Sequence, residues 1–430
     1  MSGFHIFDKR DLNRPECRYI LFIALSQIGM FFYSNDMYWV GEPLRVIGAI
    51  GFVCTLFLNC NLSTRQYPIS FQLLTIMILL QTLRIAYINP PHTLISTSLK
   101  ESFAGLFLSE YIIPSLMPII LFSFKRSAPH LDYLIRISVI LAISYFLIYP
   151  FAFVHMIHFQ WSPDVVSWSD DSEGSYSDFI MHSTYAISNL IPPYILLFWK
   201  EFMPKRNWLL TFATWIGGLL IAIYLGRRGW VFALFLFFTS AWLFYIHHSR
   251  TRKRLKVFIF SIFLLAALLS FFIYNSHFME TLLARGFTDT RREVEISFLA
   301  DMKPLDWLIG RGWFGCYYDP MFEKYRMGIE TGYLTLILRG GVLYLLLYLW
   351  VLVESAYKGL IKSNNKVAKS FALYIIIQIL LLYPGGQPSF SLNYITLWLG
   401  VFVCLTKRLR EMNDVEIRQI CFRQTIKLLE

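Results

Sequence analysis

Residues 331–354 read TGYLTLILRGGVLYLLLYLWVLVE. Between Arg339 and Glu354 the run carries no charge. As a helix rising about 1.5 Å per residue it extends about 36 Å, enough to cross a bilayer core about 30 Å thick. Comparable apolar runs fall near residues 17–34, 45–60, 68–88, 103–124, 133–157, 179–199, 208–226, 229–247, 256–275, 368–384 and 390–406. The pattern predicts an all-α polytopic membrane protein with about twelve transmembrane helices, residues 1–430 forming one transmembrane domain.

Composition excludes most alternatives. Hydrophobic residues make up 56% of the 430-residue chain and charged residues 16%, against about 25% charged in an average soluble domain. Disorder, a disulfide scaffold and an ordinary cytosolic enzyme are all inconsistent with so much apolar surface, which lipid has to cover. The net charge of +11 reads as basic loops held on one side of a bilayer, with no nucleic-acid partner. The six cysteines form no CxxC pair, and no Cys/His cluster has zinc spacing, so neither a metal nor a cofactor is expected. The first apolar run follows a basic segment without a small-residue cleavage site, and is read as a retained span.

The Lys/Arg distribution orients the spans. Arg65, the pair Lys125 and Arg126, the group Lys200, Lys205 and Arg206, the cluster 250–254, and Lys358, Lys362 and Lys366 fall on alternate connections, with the basic tail 407–430. That side is the expected cytoplasm, with both termini in it. The opposite side holds the acidic loop 158–178, with Asp164, Asp170, Asp171, Glu173 and Asp178 and no Lys or Arg.

Two outer segments break this rule. One is the turn Gly226-Arg227-Arg228-Gly229; the other is the long loop 276–330, with short amphipathic helices expected in it. Arg227 and Arg228 open a span, where unpaired backbone amides and the helix dipole favour an anion, and a guanidinium grips phosphate bidentately. Snorkelling to headgroups, or pairing with loop acids, is the alternative. In Thr288-Asp289-Thr290-Arg291-Arg292-Glu293, Thr290 and Glu293 have capping-box spacing, so Arg291 and Arg292 fall in a first helical turn. Cations are disfavoured there unless an anion sits in front; a helix lying on the membrane surface is the alternative, and Glu293 and Glu295 are near enough to pair with the arginines. The segment Leu308-Ile309-Gly310-Arg311-Gly312-Trp313-Phe314-Gly315 matches GxGxxG without a strand–turn–helix context. Its glycines are expected to let the backbone approach a ligand or a neighbouring helix, and Arg311 is a candidate further phosphate contact. Glu330 precedes the long span, as a candidate general base or simply an acid near a helix start. Arg339, inside that span, marks a functional or paired site.

These features resemble the O-antigen polymerase and O-antigen ligase superfamily of bacterial inner membranes. The resemblance covers roughly residues 180–355: the Arg-bearing turn 226–230, the Arg291/Arg292 helix, the segment LIGRGWFG, and ETGYLTLILRGGVLYLLLYL. It is architectural. Where ligases carry His-Asn, this chain has Glu330-Thr331, which favours a polymerase. The resemblance implies a metal-independent inverting glycosyltransferase with its active site on the periplasmic face. Its substrates would be undecaprenyl diphosphate-linked oligosaccharides, polymerised into O-antigen-type, capsular or related polysaccharide, with a chain-length co-polymerase as partner. Arg227, Arg228, Arg291, Arg292 and Arg311 would then hold the diphosphate, with Arg228 and Arg291 assisting catalysis beside Glu330. Trp313, Tyr317, Tyr318 and Tyr333 would stack on sugars, although aromatic side chains also gather at membrane interfaces without that role. A ligase passing glycan to a lipid or protein acceptor, and a polysaccharide transporter or flippase, are the competing expectations.

Overall fold

The computed structural model describes residues 13–33, 37–60, 67–87, 112–124, 129–157, 188–224, 228–247, 290–320, 324–383 and 388–422. These are mostly helical, with one short hairpin. Helices α1 (Pro15–Tyr33), α2 (Tyr38–Asn59) and α3 (Ile69–Tyr87) are followed by α4 (Ile112–Leu116), which continues as a 3₁₀ turn over Met117–Ser123. Then come α5 (Leu131–Ile157), a 3₁₀ segment Tyr194–Trp199, α6 (Lys205–Tyr224) and α7 (Arg228–His247). The described part of the loop 276–330 folds as α8 (Thr290–Asp301), α9 (Pro304–Ile309), β1 (Tyr317–Asp319) and β2 (Lys324–Arg326). Helices α10 (Gly332–Ile361), α11 (Lys366–Leu381), α12 (Leu392–Leu405), α13 (Lys407–Glu411) and α14 (Asp414–Cys421) complete the chain.

Among the described residues three helices are long and apolar enough to cross a membrane: α2, α7 from Gly229, and α10. The described parts of 103–124 and 179–199 are not continuous α-helix. Pro114 and Pro118 interrupt the first, and Pro192-Pro193 precede the 3₁₀ turn of the second, because proline lacks the N–H and crowds the preceding turn. Helix α3 exposes Ile69, Leu73, Ile76, Leu80 and Leu83, and α10 exposes Leu343, Leu346, Trp350, Val353 and Tyr357. Each set recurs at three- and four-residue spacing, an apolar stripe that water would not tolerate on this scale.

Hydrogen bonds sort the elements into two ends. At one end Tyr67 Oη donates to the Leu121 carbonyl (2.5 Å) and Tyr19 Oη pairs with Ser123 Oγ (2.7 Å). Ser70 donates to Glu354, Lys366 reaches Glu201 at 2.5 Å, and Asn365 Nδ2 donates to the Leu409 carbonyl at 2.8 Å. At the other end Gln27 joins Asn189 and Leu392, Trp230 Nε1 donates to Tyr194 Oη (3.0 Å), and the Gly332 N–H donates to the Leu382 carbonyl (2.7 Å). The tail from 407 is docked, not free, where it is described: Asn413 caps α14, and Cys421 and Phe422 are buried.

Candidate functional site

The second end is organised by a break in α10. Gly341 has φ 72° and ψ −179°, a conformation open in practice to glycine alone. Beyond it the carbonyls of Leu338 and Arg339 lose the N–H groups that a continuous helix would supply. The LIGRGWFG segment replaces them: Arg311 N–H donates to the Leu338 carbonyl at 2.7 Å and Gly312 N–H to the Arg339 carbonyl at 3.0 Å. A Cβ on Gly310 would meet the Gly340 and Gly341 nitrogens at 2.5 and 2.6 Å, and one on Gly341 would land on the Leu308 carbonyl. The two glycine motifs are therefore halves of one backbone contact. Helix α3 fastens it from the side. Gln81 Nε2 and Arg84 Nη1 donate to the Ile309 carbonyl (2.7 and 3.2 Å), Arg84 also to that of Gly310 (2.7 Å), and Trp313 Nε1 donates to Thr82 Oγ1 (3.1 Å).

This geometry corrects the expectation for Arg311. Its side chain is 2% exposed and ion-paired with Asp301 (2.5 Å) and Asp306 (2.9 Å), and it donates to the Cys316 and Asp301 carbonyls at 2.8 and 2.5 Å. Burial disfavours its charge, but the hydrogen bonds and charges of the two aspartates outweigh that, and its pKa is raised. Arg311 is the tie that closes the α8–α9 turn rather than a phosphate ligand. Trp313 and Tyr317 are likewise core residues, 1% and 0% exposed. Trp313 packs edge-on against Tyr344, and Tyr317 edge-on against Phe298, so neither face receives a sugar. Burial, countered by Arg326 and reinforced by Asp319 and Glu330, pushes the Tyr317 phenol up to about 12.

Around this tie the loop settles on the N-terminal end of α10. Phe298 of α8 and Met302 just after it pack with Tyr317, Ile329, Leu334, Ile337 and Leu338 in a small core of their own. On the β1–β2 hairpin Tyr318 faces Tyr325, their rings 5.4 Å apart, while Arg326 reaches Asp319 at 3.0 Å. The mouth of α10 is then lined by Glu330, which is exposed, by Thr331, whose hydroxyl donates to Glu295, and by Tyr333. Tyr333 lies nearly parallel to Tyr383, with centroids 6.2 Å apart and an 11° angle between rings.

Helix α8 is described from Thr290, so positions 291 and 292 fall in its first described turn; residue 289 before it lies outside the described residues. Position 291 is one turn before Glu295 and shares its helical face. Arg292 is exposed on the other face with Ile296 and Leu299. Helix α7 begins at Arg228. Arg227, the acidic loop 158–178, residues 276–289 of the long loop and residues 423–430 lie outside the described residues. Arg339 is 1% exposed and enclosed by protein beneath the break, with Tyr344 and Tyr394 as electrostatic neighbours. Among the described residues no group of three or more His, Cys, Asp or Glu side chains is placed to hold a metal ion.

Glu295, Arg84, Gln81, Arg326 and Tyr383 are parts of this end that sequence reasoning did not single out as site residues. Glu295 carried a signal, because it stands one turn after position 291, near enough to pair with it. Tyr383 carried none, being fifty residues from Tyr333 in sequence and brought beside it where the Gly332 N–H meets the Leu382 carbonyl. No protein-family model, no curated protein and no solved structure matches the chain.

Proposed function

We propose that the chain is a bacterial inner-membrane glycosyltransferase. It would join undecaprenyl diphosphate-linked oligosaccharide units into an O-antigen-type, capsular or related surface polysaccharide. About twelve spans would place both termini in the cytoplasm and the broken end of α10 in the periplasm. The observation that carries this reading is the mouth of α10, where Glu295 of α8 accepts from Thr331 beside the exposed Glu330 and Tyr333, one turn along α8 from position 291. The two-ended sorting of hydrogen bonds supports the topology. The basic positions Lys200, Lys358, Lys366 and Lys407 belong to one end, and the mouth of α10 to the other.

In this reading Arg227, Arg228, Arg291 and Arg292 neutralise the diphosphate as it leaves. Preorganised cations lower such a barrier by several kcal/mol, because the charge they meet develops in the transition state. A hydroxyl at the non-reducing end of the incoming unit attacks the anomeric carbon of the growing chain. The new C–O bond forms as the bond to the diphosphate breaks, undecaprenyl diphosphate departs with the electron pair, and Glu330 takes the hydroxyl proton. One in-line displacement inverts the anomeric centre.

Glu330→Gln tests the assignment: turnover is expected to fall by about 10² to 10⁴ while lipid-linked donor still binds. Normal polymerisation by that variant would remove Glu330 from the chemistry. A ligase is separated by lipid analysis of a deletion strain, which leaves single capped units after loss of a polymerase but long chains on undecaprenyl diphosphate after loss of a ligase. The broken α10 favours one further reading, a transporter, since discontinuous spans frame substrate sites in that class. A transporter would move lipid-linked sugar without lengthening it.

A further inference from the structure

The mouth of α10 contains a second acid and a second ring that the proposed chemistry does not use. Tyr383, just past the end of α11, is 62% exposed, so its ring is open to a ligand. The Gly332 N–H to Leu382 carbonyl bond staples the end of α11 to the start of α10, one residue from each tyrosine. That staple sets the Tyr333 and Tyr383 rings nearly parallel, 6.2 Å apart. The Glu295 carboxylate accepts from Thr331 and is an electrostatic neighbour of the Tyr333 hydroxyl. A carboxylate has about four lone-pair positions, and the bond from Thr331 is the one made to it among the described residues, which leaves capacity for ligand hydroxyls.

Two aromatic faces beside a fixed carboxylate match the chemistry of a pyranose. Its C–H face is weakly positive and sits on the negative face of an aromatic ring, while its hydroxyls donate to carboxylate oxygens. We infer that Tyr333, Tyr383 and Glu295 form a pyranose-binding subsite for the non-reducing-end sugar of the acceptor. The assignment to the acceptor rests on the proposed polymerase reading. Glu330 stands three residues before Tyr333 at the α10 mouth, so a sugar carried by Tyr333 lies at the same helix start as the proposed base. Tyr383 and Glu295 are positioning residues here, acting on where the sugar lies.

The test uses the detergent-solubilised full chain and one probe: surface polysaccharide of the producing strain, cut to single lipid-free repeat units. Binding is read by saturation-transfer NMR and titration. The wild type and Tyr383→Phe, which keeps the ring, are expected to bind within about twofold of each other. Tyr383→Ala and Glu295→Gln are expected to weaken binding at least tenfold. Glutamine retains an oxygen for Thr331, so its effect reports the ligand and not the fold, and exposed Tyr383 can be truncated without opening a core. Unchanged binding by Tyr383→Ala, or no binding by the wild type, would overturn the subsite. The same variants in a polymerisation assay separate the two readings. Wild-type chain lengthening that ignores Tyr383→Ala sinks the subsite alone, whereas Tyr383-dependent binding without any lengthening sinks the polymerase alone.

Discussion

Adding one methyl group to Gly341 tests the contact on which the outer end is built. The residue sits at φ 72° and ψ −179°, and a side chain there costs about 1–3 kcal/mol in backbone strain. The new Cβ also lands on the Leu308 carbonyl and the Ile309 nitrogen, main-chain atoms that cannot rotate away. Relieving the overlap lifts the LIGRGWFG segment off the helix and breaks the bonds from Arg311 and Gly312 to the Leu338 and Arg339 carbonyls, at about 1 kcal/mol each. The sum is about 3–5 kcal/mol, a large part of an ordinary folding free energy of about 5–15 kcal/mol. Two controls carry the same methyl. Gly312 has φ 86° with no atom within 4 Å, so Gly312→Ala meets strain alone, about 1–2 kcal/mol. Gly328 has open space and no positive φ, so Gly328→Ala is near neutral. Thermal unfolding of the solubilised protein, followed by fluorescence and by protease sensitivity of the outer loop, is expected to rank the variants in that order. Gly341→Ala as stable as Gly328→Ala would refute the reasoning.

Removing the Arg311 guanidinium leaves Asp301 and Asp306 facing each other without their shared cation, so Arg311→Ala is expected to lose about 3 kcal/mol and loosen the α8–α9 turn; equal protease resistance would contradict it. Tyr317 has its folded pKa raised to about 12, so its contribution to stability is complete below the ordinary phenol value of 10.0 and is lost as pH rises from there to about 12. Tyr317→Phe should show a shallower alkaline loss than the wild type in paired unfolding curves, and identical slopes would exclude this. Cysteines placed at exposed Lys303 and Lys407 should label from opposite sides of sealed vesicles with a membrane-impermeant maleimide. Labelling from one side would overturn the two-ended topology.

Much of the helical architecture was legible because apolar runs of span length are an all-or-none signal: α3 starts at Ile69, within a residue of the run 68–88, and α12 (Leu392–Leu405) falls within two residues of the run 390–406. Gly310 was legible as a site of close backbone approach, with ligand and helix left open; the partner is α10, whereas a Cβ on Gly312 meets nothing within 4 Å and one on Gly315 meets Arg311. The role of Arg311 was not legible, because a phosphate and a pair of aspartates ask for the same guanidinium, and the aspartates lie five and ten residues away on separate helices. Burial of Trp313 and Tyr317 depends on the break at Gly341, whose neighbour in sequence, Gly340, looks identical. The hairpin 317–326 was missed because two three-residue strands carry too little alternation to register beside the amphipathic pattern of α8.

The purified protein incubated with a lipid-linked oligosaccharide repeat unit, its products resolved on a gel, addresses the glycosyl-transfer assignment itself. A ladder of lengthening chains that disappears with Glu330→Gln is the predicted result. Unextended substrate in the wild-type lane, in the presence of intact folded protein, would contradict it.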